Sequence, residues 1–193
     1  MRWERLFEDL EHQLDSEWEA ERAALDSEAE RLRMSRLTLR DRLTVLADQS
    51  DEVAIDLVGP TATLRGRLTG AGADWCSVEL GADAHVALIP LEAIAALGAA
   101  RPALARSVRP GGPQRISDRM TLGFVLRDAA RRRGGVRVHT IIGGVHIGTI
   151  DRAGADHLDL ALHEADVPRR EAAVAGIRLI PFHAVSWVQL LGT

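Results

Sequence analysis

Ten arginines fall between residues 101 and 137 against only Asp118 and Asp128, so this stretch carries a net charge of +8. Arg101, Arg106, Arg109, Arg115 and Arg119 lead into a denser group, Arg127, Arg131, Arg132, Arg133 and Arg137. Guanidinium groups in that number predict an anion-binding surface, with the last five as its candidate residues. Nucleic-acid phosphates and an acidic protein both answer to such a surface. Phe124 is the only aromatic residue in the stretch, so base stacking has little support. A solvated, Arg-rich linker is the third reading, because charge runs often do nothing more than face water. The choice of Arg over Lys carries no information. All 24 basic residues are Arg, and Lys, Asn and Tyr are absent, as a GC-rich bacterial coding sequence would leave them.

Other chemistry finds less support. Five of the seven histidines, His139, His146, His157, His163 and His183, lie in the C-terminal part. His139 and His146 would share one face of a hairpin if Gly143-Gly144 were its turn, yet two histidines fall short of the three or four ligands zinc takes. The sequence therefore predicts no metal site. Gly70-x-Gly72 lacks the third glycine of a dinucleotide fingerprint, since Trp75 stands there, and there is no P-loop, Gly-x-Ser-x-Gly or His-Glu-x-x-His. The lone Cys76 reads as a buried apolar residue. No enzyme activity and no cofactor is expected.

The elements that must carry these residues begin with a long helix. Trp3, Phe7, Leu10, Leu14 and Trp18 recur at spacings of four, three, four and four, and Leu25, Ala29 and Leu32 continue the stripe. The stretch has no Pro or Gly and is rich in strong helix formers. Residues 1–30 carry eleven acids against Arg2, Arg5 and Arg22, a net of −8, within a chain whose formal net charge is −4. Such asymmetry can steer a charged partner or draw one end of the chain to the other. Glu21 and Arg22 interrupt the heptad, so helix pairing is expected without a long supercoil. The five residues from Trp3 to Trp18 are the candidate interface, either for homodimerisation or for packing back onto the chain.

From Ser35 onward the sequence reads as two copies of one unit. Thr38-Leu39 corresponds to Thr121-Leu122, and Val53 and Ile55 to Val136 and Val138, at an offset of 83. Gly66 corresponds to Gly148, and Ala71-Gly72-Ala73-Asp74 to the identical Ala153-Gly154-Ala155-Asp156, at an offset of 82. Leu88-Ile89-Pro90 corresponds to Leu179-Ile180-Pro181 at an offset of 91, which places nine extra residues in the loop around Glu164 to Gly176. Each unit predicts a short leading helix and five short strands with period-two alternation. Gly66 and Gly148 fall inside strands, where a sharp bend is expected. Five short strands bury both faces most readily by closing. The expected fold is mainly β with α: two five-stranded small barrels at 35–97 and 117–193, a Pro/Gly/Arg-rich linker at 98–116, and the helix at 1–34.

In strand pattern, internal glycine and Ile-Pro turn, residues 37–97 and 120–190 resemble the Sm-like and SH3-like small barrels. The leading helix favours the first and the Pro turn the second. For the Sm-like case the resemblance implies an RNA-binding Asp near the third strand, a place Asp74 and Asp156 would hold, although its companion Asn and the usual Arg-Gly pair are missing. For the SH3-like case it implies an aromatic peptide groove, whose residues are mostly absent.

No apolar run approaches the roughly 18 residues of a membrane span, and the N-terminal residues lack the apolar core of a secretory signal. A cytoplasmic protein with no membrane partner is expected. Together these readings point to a non-enzymatic binding or adaptor protein, with a protein partner or itself as ligand. The alternative is a nucleic-acid-binding regulator using the Arg-rich stretch. An enzyme with a composite site is a third class.

Overall fold

Alternating burial in Val53, Ile55 and Leu57, and again in Val136, Val138 and Thr140, marks strands that press one face into a core. The computed structural model describes residues 2–60, 63–81, 85–109, 115–163 and 174–191. Its helices are α1 (Arg2–Arg36), α2 (Leu39–Asp48), α3 (Arg101–Arg106) and α4 (Leu122–Arg132). Its strands are β1 (Glu52–Leu57), β2 (Leu64–Ala71), β3 (Trp75–Leu80), β4 (His85–Pro90), β5 (Ile94–Ala99), β6 (Gly135–Thr140), β7 (Val145–Ala153), β8 (His157–Leu162), β9 (Gly176–Pro181) and β10 (Val185–Leu190).

The chain divides into two units, residues 1–38 and 39–193. The first is built on α1, a helix of 35 residues, slightly longer than the stripe of apolar residues predicts. Its last turns carry an Arg33–Glu30 ion pair at 2.6 Å. Trp18, Leu25 and Leu32 are exposed. The side chains of Trp3, Phe7, Leu10 and Leu14 lie outside the described residues.

The second unit corrects the expected fold. Two separate five-stranded barrels do not form. One open, ten-stranded antiparallel sheet forms instead, in the order β5-β1-β2-β3-β4-β10-β6-β7-β8-β9. The joint is β4 against β10, with Leu88 opposite Val188, Ala87 opposite Gln189 and Val86 opposite Leu190. Within each half the sequence pattern fixes neighbours and faces. It does not say which foreign edge an outer strand will meet, because an unpaired strand edge accepts any strand that presents complementary backbone groups.

The halves use corresponding registers. Val53 faces Gly66 as Val136 faces Gly148, and Leu68 faces Val78 as Ile150 faces Leu160. Both second strands shift register at the same place, between Leu68 and Gly70 and between Ile150 and Arg152. The in-strand glycines are required by close approach: a Cβ on Gly66 would collide with the Glu79 carbonyl, and one on Gly148 with that of Ala161.

Two buried clusters hold the sheet and its helices. Leu43 and Leu46 of α2 pack with Val53, Ile55, Leu68 and Val78, and Leu122 and Leu126 of α4 pack with Val136, Val138, Ile150 and Leu160. The joint is stitched by exchange, since Trp187 of β10 belongs to the first cluster and Leu88 of β4 to the second. Full burial of each such side chain contributes about 1.5–3 kcal/mol. Polar struts add to it. The Asp74 carboxylate accepts from the Leu122 amide at 2.6 Å, the Trp75 indole donates to the Met120 carbonyl at 2.9 Å, and the Arg40 guanidinium donates to the Gly72 carbonyl at 2.9 Å. Asp74 thus neutralises the start of α4, where a carboxylate interacts favourably with the helix dipole.

Candidate anion-binding site

Helix α4 presents its arginines because its other face is committed to the core. Leu122 and Leu126 are buried, and the residues at 127 and 131, four apart, share a different face. Thr121 caps the helix by accepting from the Phe124 amide at 3.3 Å, and Arg133 closes it in a left-handed conformation with φ 55°. Strand β7 runs beside the helix. Its register shift between Ile150 and Arg152 leaves Asp151 out of the ladder at the point where the strand passes α4.

These two elements enclose an open cleft of about 870 Å³, lined by Arg127, Arg131 and Arg133 from the helix and its cap and by Asp151 and Arg152 from the strand, over an apolar floor that includes Ile150. Arg127 is steadied by donating to the Gly154 carbonyl at 3.1 Å, and Arg131 by donating to the Arg127 carbonyl at 3.4 Å. Four guanidinium groups against one carboxylate make the cleft strongly cation-lined. Planar donors in that arrangement suit carboxylates or phosphates, which they can hold with paired hydrogen bonds.

The five arginines expected to act together therefore separate. Arg127, Arg131 and Arg133 converge. Arg132 turns away to Asp128, one helical turn back, at 2.7 Å. Arg137 lies on β6 and donates to the Gln189 side chain of β10 at 3.0 Å. The residue missed by sequence reasoning is Arg152, whose place depends on the register shift in β7, a feature with no residue signature of its own. Of the arginines ahead of α4, Arg106 pairs with Asp51 at 2.8 Å and Arg115 with Asp48 at 2.9 Å, so both tie the segment after β5 to the end of α2.

Among the described residues the histidines do not assemble a site. The β6–β7 turn takes residues 141–144, two more than the Gly143-Gly144 turn expected, with Gly143 at φ 84°. His139 then faces Val145 and His146 faces Val138, which puts the two histidines on opposite faces. No group of three or more His, Cys, Asp or Glu able to hold a metal occurs among the described residues. His139 instead stacks on Trp187, with ring centroids 4.0 Å apart, and its Nε2 and the Trp187 Nε1 are buried without hydrogen-bond partners among the described residues. Burial, then the nearby Arg137, lowers the His139 pKa. At the exposed β7–β8 turn, the hydrogen bond from His157 at 2.8 Å holds the Asp156 carboxyl below its usual range. Burial pushes the Cys76 thiol up to about 12, so it stays protonated at neutral pH.

No protein-family model, curated protein or solved structure matches the chain. Among the described residues, no helix is long and apolar enough to cross a membrane.

Proposed function

We propose that the chain is a non-enzymatic binding protein, an adaptor whose α4–β7 cleft takes an acidic segment of a protein partner. The stripe of α1 supplies a second contact, by dimerisation or docking. The observation that carries this reading is the convergence of Arg127, Arg131, Arg133 and Arg152 on one cleft. A protein carboxylate fits better than a nucleic acid. The residues between the guanidinium groups are Ala130, Ile150 and Ala153, which suit the aliphatic stems of acidic side chains, and among the described residues no aromatic lines the cleft for a base to stack on. The same chain contains a segment of the required kind in residues 1–30, with a net charge of −8.

Fluorescence anisotropy with a labelled glutamate-rich peptide, a single-stranded RNA and a DNA duplex, each titrated at increasing salt, tests the partner class. The peptide binds most tightly at every salt concentration if the reading is right. Tighter binding of RNA or duplex, with the steep salt dependence that phosphate contacts impose, would replace it with the nucleic-acid reading.

A further inference from the structure

The sheet ends in two strands whose counterparts are paired with each other inside the same molecule. Among the described residues, the strands at its two free edges are β5 and β9. By the offset of 91, β5 (Ile94–Ala99) corresponds to β10 (Val185–Leu190), and β4 (His85–Pro90) corresponds to β9 (Gly176–Pro181). The internal joint is the β4–β10 pair. We propose that a second copy of this chain pairs its β5 with β9, repeating the internal joint between molecules. In the register of that joint, Leu179 of one copy faces Leu97 of the next, Arg178 faces Gly98, and Ile177 faces Ala99.

Exposure supports this pairing at three independent points. Leu88, in the joint, is 3% exposed, while its counterpart Leu179 is 69% exposed. Ile177, the counterpart of half-buried Val86, is 59% exposed. Long edge strands carrying unprotected apolar side chains are templates for pairing with another chain. The third point lies off the strands. Leu122 opens α4 at the joint and is 2% exposed, whereas Leu39 opens α2 and is 42% exposed.

The polar struts of the joint have counterparts that are left open in the same way. Asp74, Trp75 and Ala73 reach across to the Leu122 amide and the Met120 carbonyl. Their counterparts Asp156, His157 and Ala155 sit at an exposed turn, with the Asp156 side chain 89% exposed. The matching group on the second copy is the Leu39 amide. One lateral contact therefore comprises a strand pair and an Asp at a helix N-terminus, as in the internal joint. Because β5 and β9 are different surfaces, the contact is head to tail, and each copy keeps one free edge for the next. These observations are separate from the cleft, so either proposal can fail alone.

Sedimentation velocity of the full chain and two edge variants tests the pairing. Ile177→Glu with Leu179→Glu charges β9. Ala96→Glu with Gly98→Arg charges β5 and sets an arginine opposite Arg178, a like-charge pair that opposes strand pairing, while a Cβ on Gly98 meets nothing closer than the Ala54 carbonyl at 3.8 Å. All four side chains are added at exposed positions, and circular dichroism with thermal melting checks that each variant folds. The wild-type chain should associate with rising concentration, to species larger than any dimer that α1 forms. Each variant alone should associate at least about tenfold more weakly. An equimolar mixture should recover one intermolecular joint, because each variant supplies the edge the other lacks. A wild-type chain that associates no more strongly than either variant, or a mixture that behaves as the sum of its parts, overturns the proposal. Glutamate-peptide binding by the edge variants, unchanged from wild type, shows that the cleft is intact whichever way this result falls.

Discussion

The groove between α2 and β2 and the cleft between α4 and β7 occupy corresponding places, yet one is small and nearly neutral and the other is large and cationic. Thr44, Asp48, Thr69 and Gly70 line the first, and Arg127, Arg131, Asp151 and Arg152 hold the same positions in the second. Arg115, Ser117 and Asp118, from the segment ahead of α4, also line the first groove, and Arg115 pairs with Asp48 across it. The space left is about 260 Å³, against about 870 Å³ in the cleft. A common backbone support, with the same register shift in the second strand of each half, thus yields one narrowed groove and one wide one. Side-chain charge and the path of the connecting segment decide which half offers a site.

The comparison is best broken first at the core beneath each helix. Leu126 and its counterpart Leu43 are both fully buried. Truncation of either to Ala should cost about 2–5 kcal/mol in urea unfolding. Peptide affinity, measured where both variants remain folded, should fall for Leu126→Ala and stay unchanged for Leu43→Ala. Equal losses of affinity would mean that the cleft does not depend on the seating of α4.

A smaller difference is expected between the two identical Ala-Gly-Ala-Asp turns. Asp74→Ala removes the hydrogen bond at the start of α4 and should lower stability by about 1 kcal/mol. Asp156→Ala should leave the unfolding midpoint of the isolated chain unchanged, because its side chain is 89% exposed and its side-chain hydrogen bond goes to the adjacent His157. A thermal melt of both variants at low protein concentration checks the contrast.

The smallest effect concerns the β6–β10 pair His139 and Trp187, for which the first half has Asp56 and Ala96. The fold lowers the His139 pKa from 6.5, so the unfolded chain takes up a proton before the folded one does. The stability due to neutral His139 is fully present above pH 6.5 and is lost as pH falls through the lowered value. Denaturant midpoints between pH 7.5 and about 5 should fall less in His139→Phe than in wild type. Identical slopes would count against burial as the cause of the shift.

Much of this was legible in the residues. The helix period from Trp3 to Leu32 and the alternation of Val53, Ile55 and Leu57 are local signals, the first of the type of element and the second of which face of a strand is buried. The meeting of β4 with β10 was not legible, since it depends on two edges distant in sequence. For the site, the four-residue spacing of Arg127 and Arg131 placed them together on a helix face. Arg132, adjacent in sequence, was drawn off by Asp128, and Arg152 entered through a register shift. Arg137 looked like part of one basic run because proximity in sequence was standing in for proximity in space: it lies on the face of β6 opposite Val136 and Val138, which pack against α4.

The most direct test of the cleft uses two variants with the same change in net charge. Arg127→Glu with Arg131→Glu alters the cleft, while Arg132→Glu with Arg137→Glu alters two arginines of the same run that lie outside it. Titration calorimetry with the glutamate-rich peptide should show at least about tenfold weaker binding for the first pair and affinity near wild type for the second. Equal losses for both pairs would show that the peptide responds to total charge, and would contradict a site built at α4 and β7.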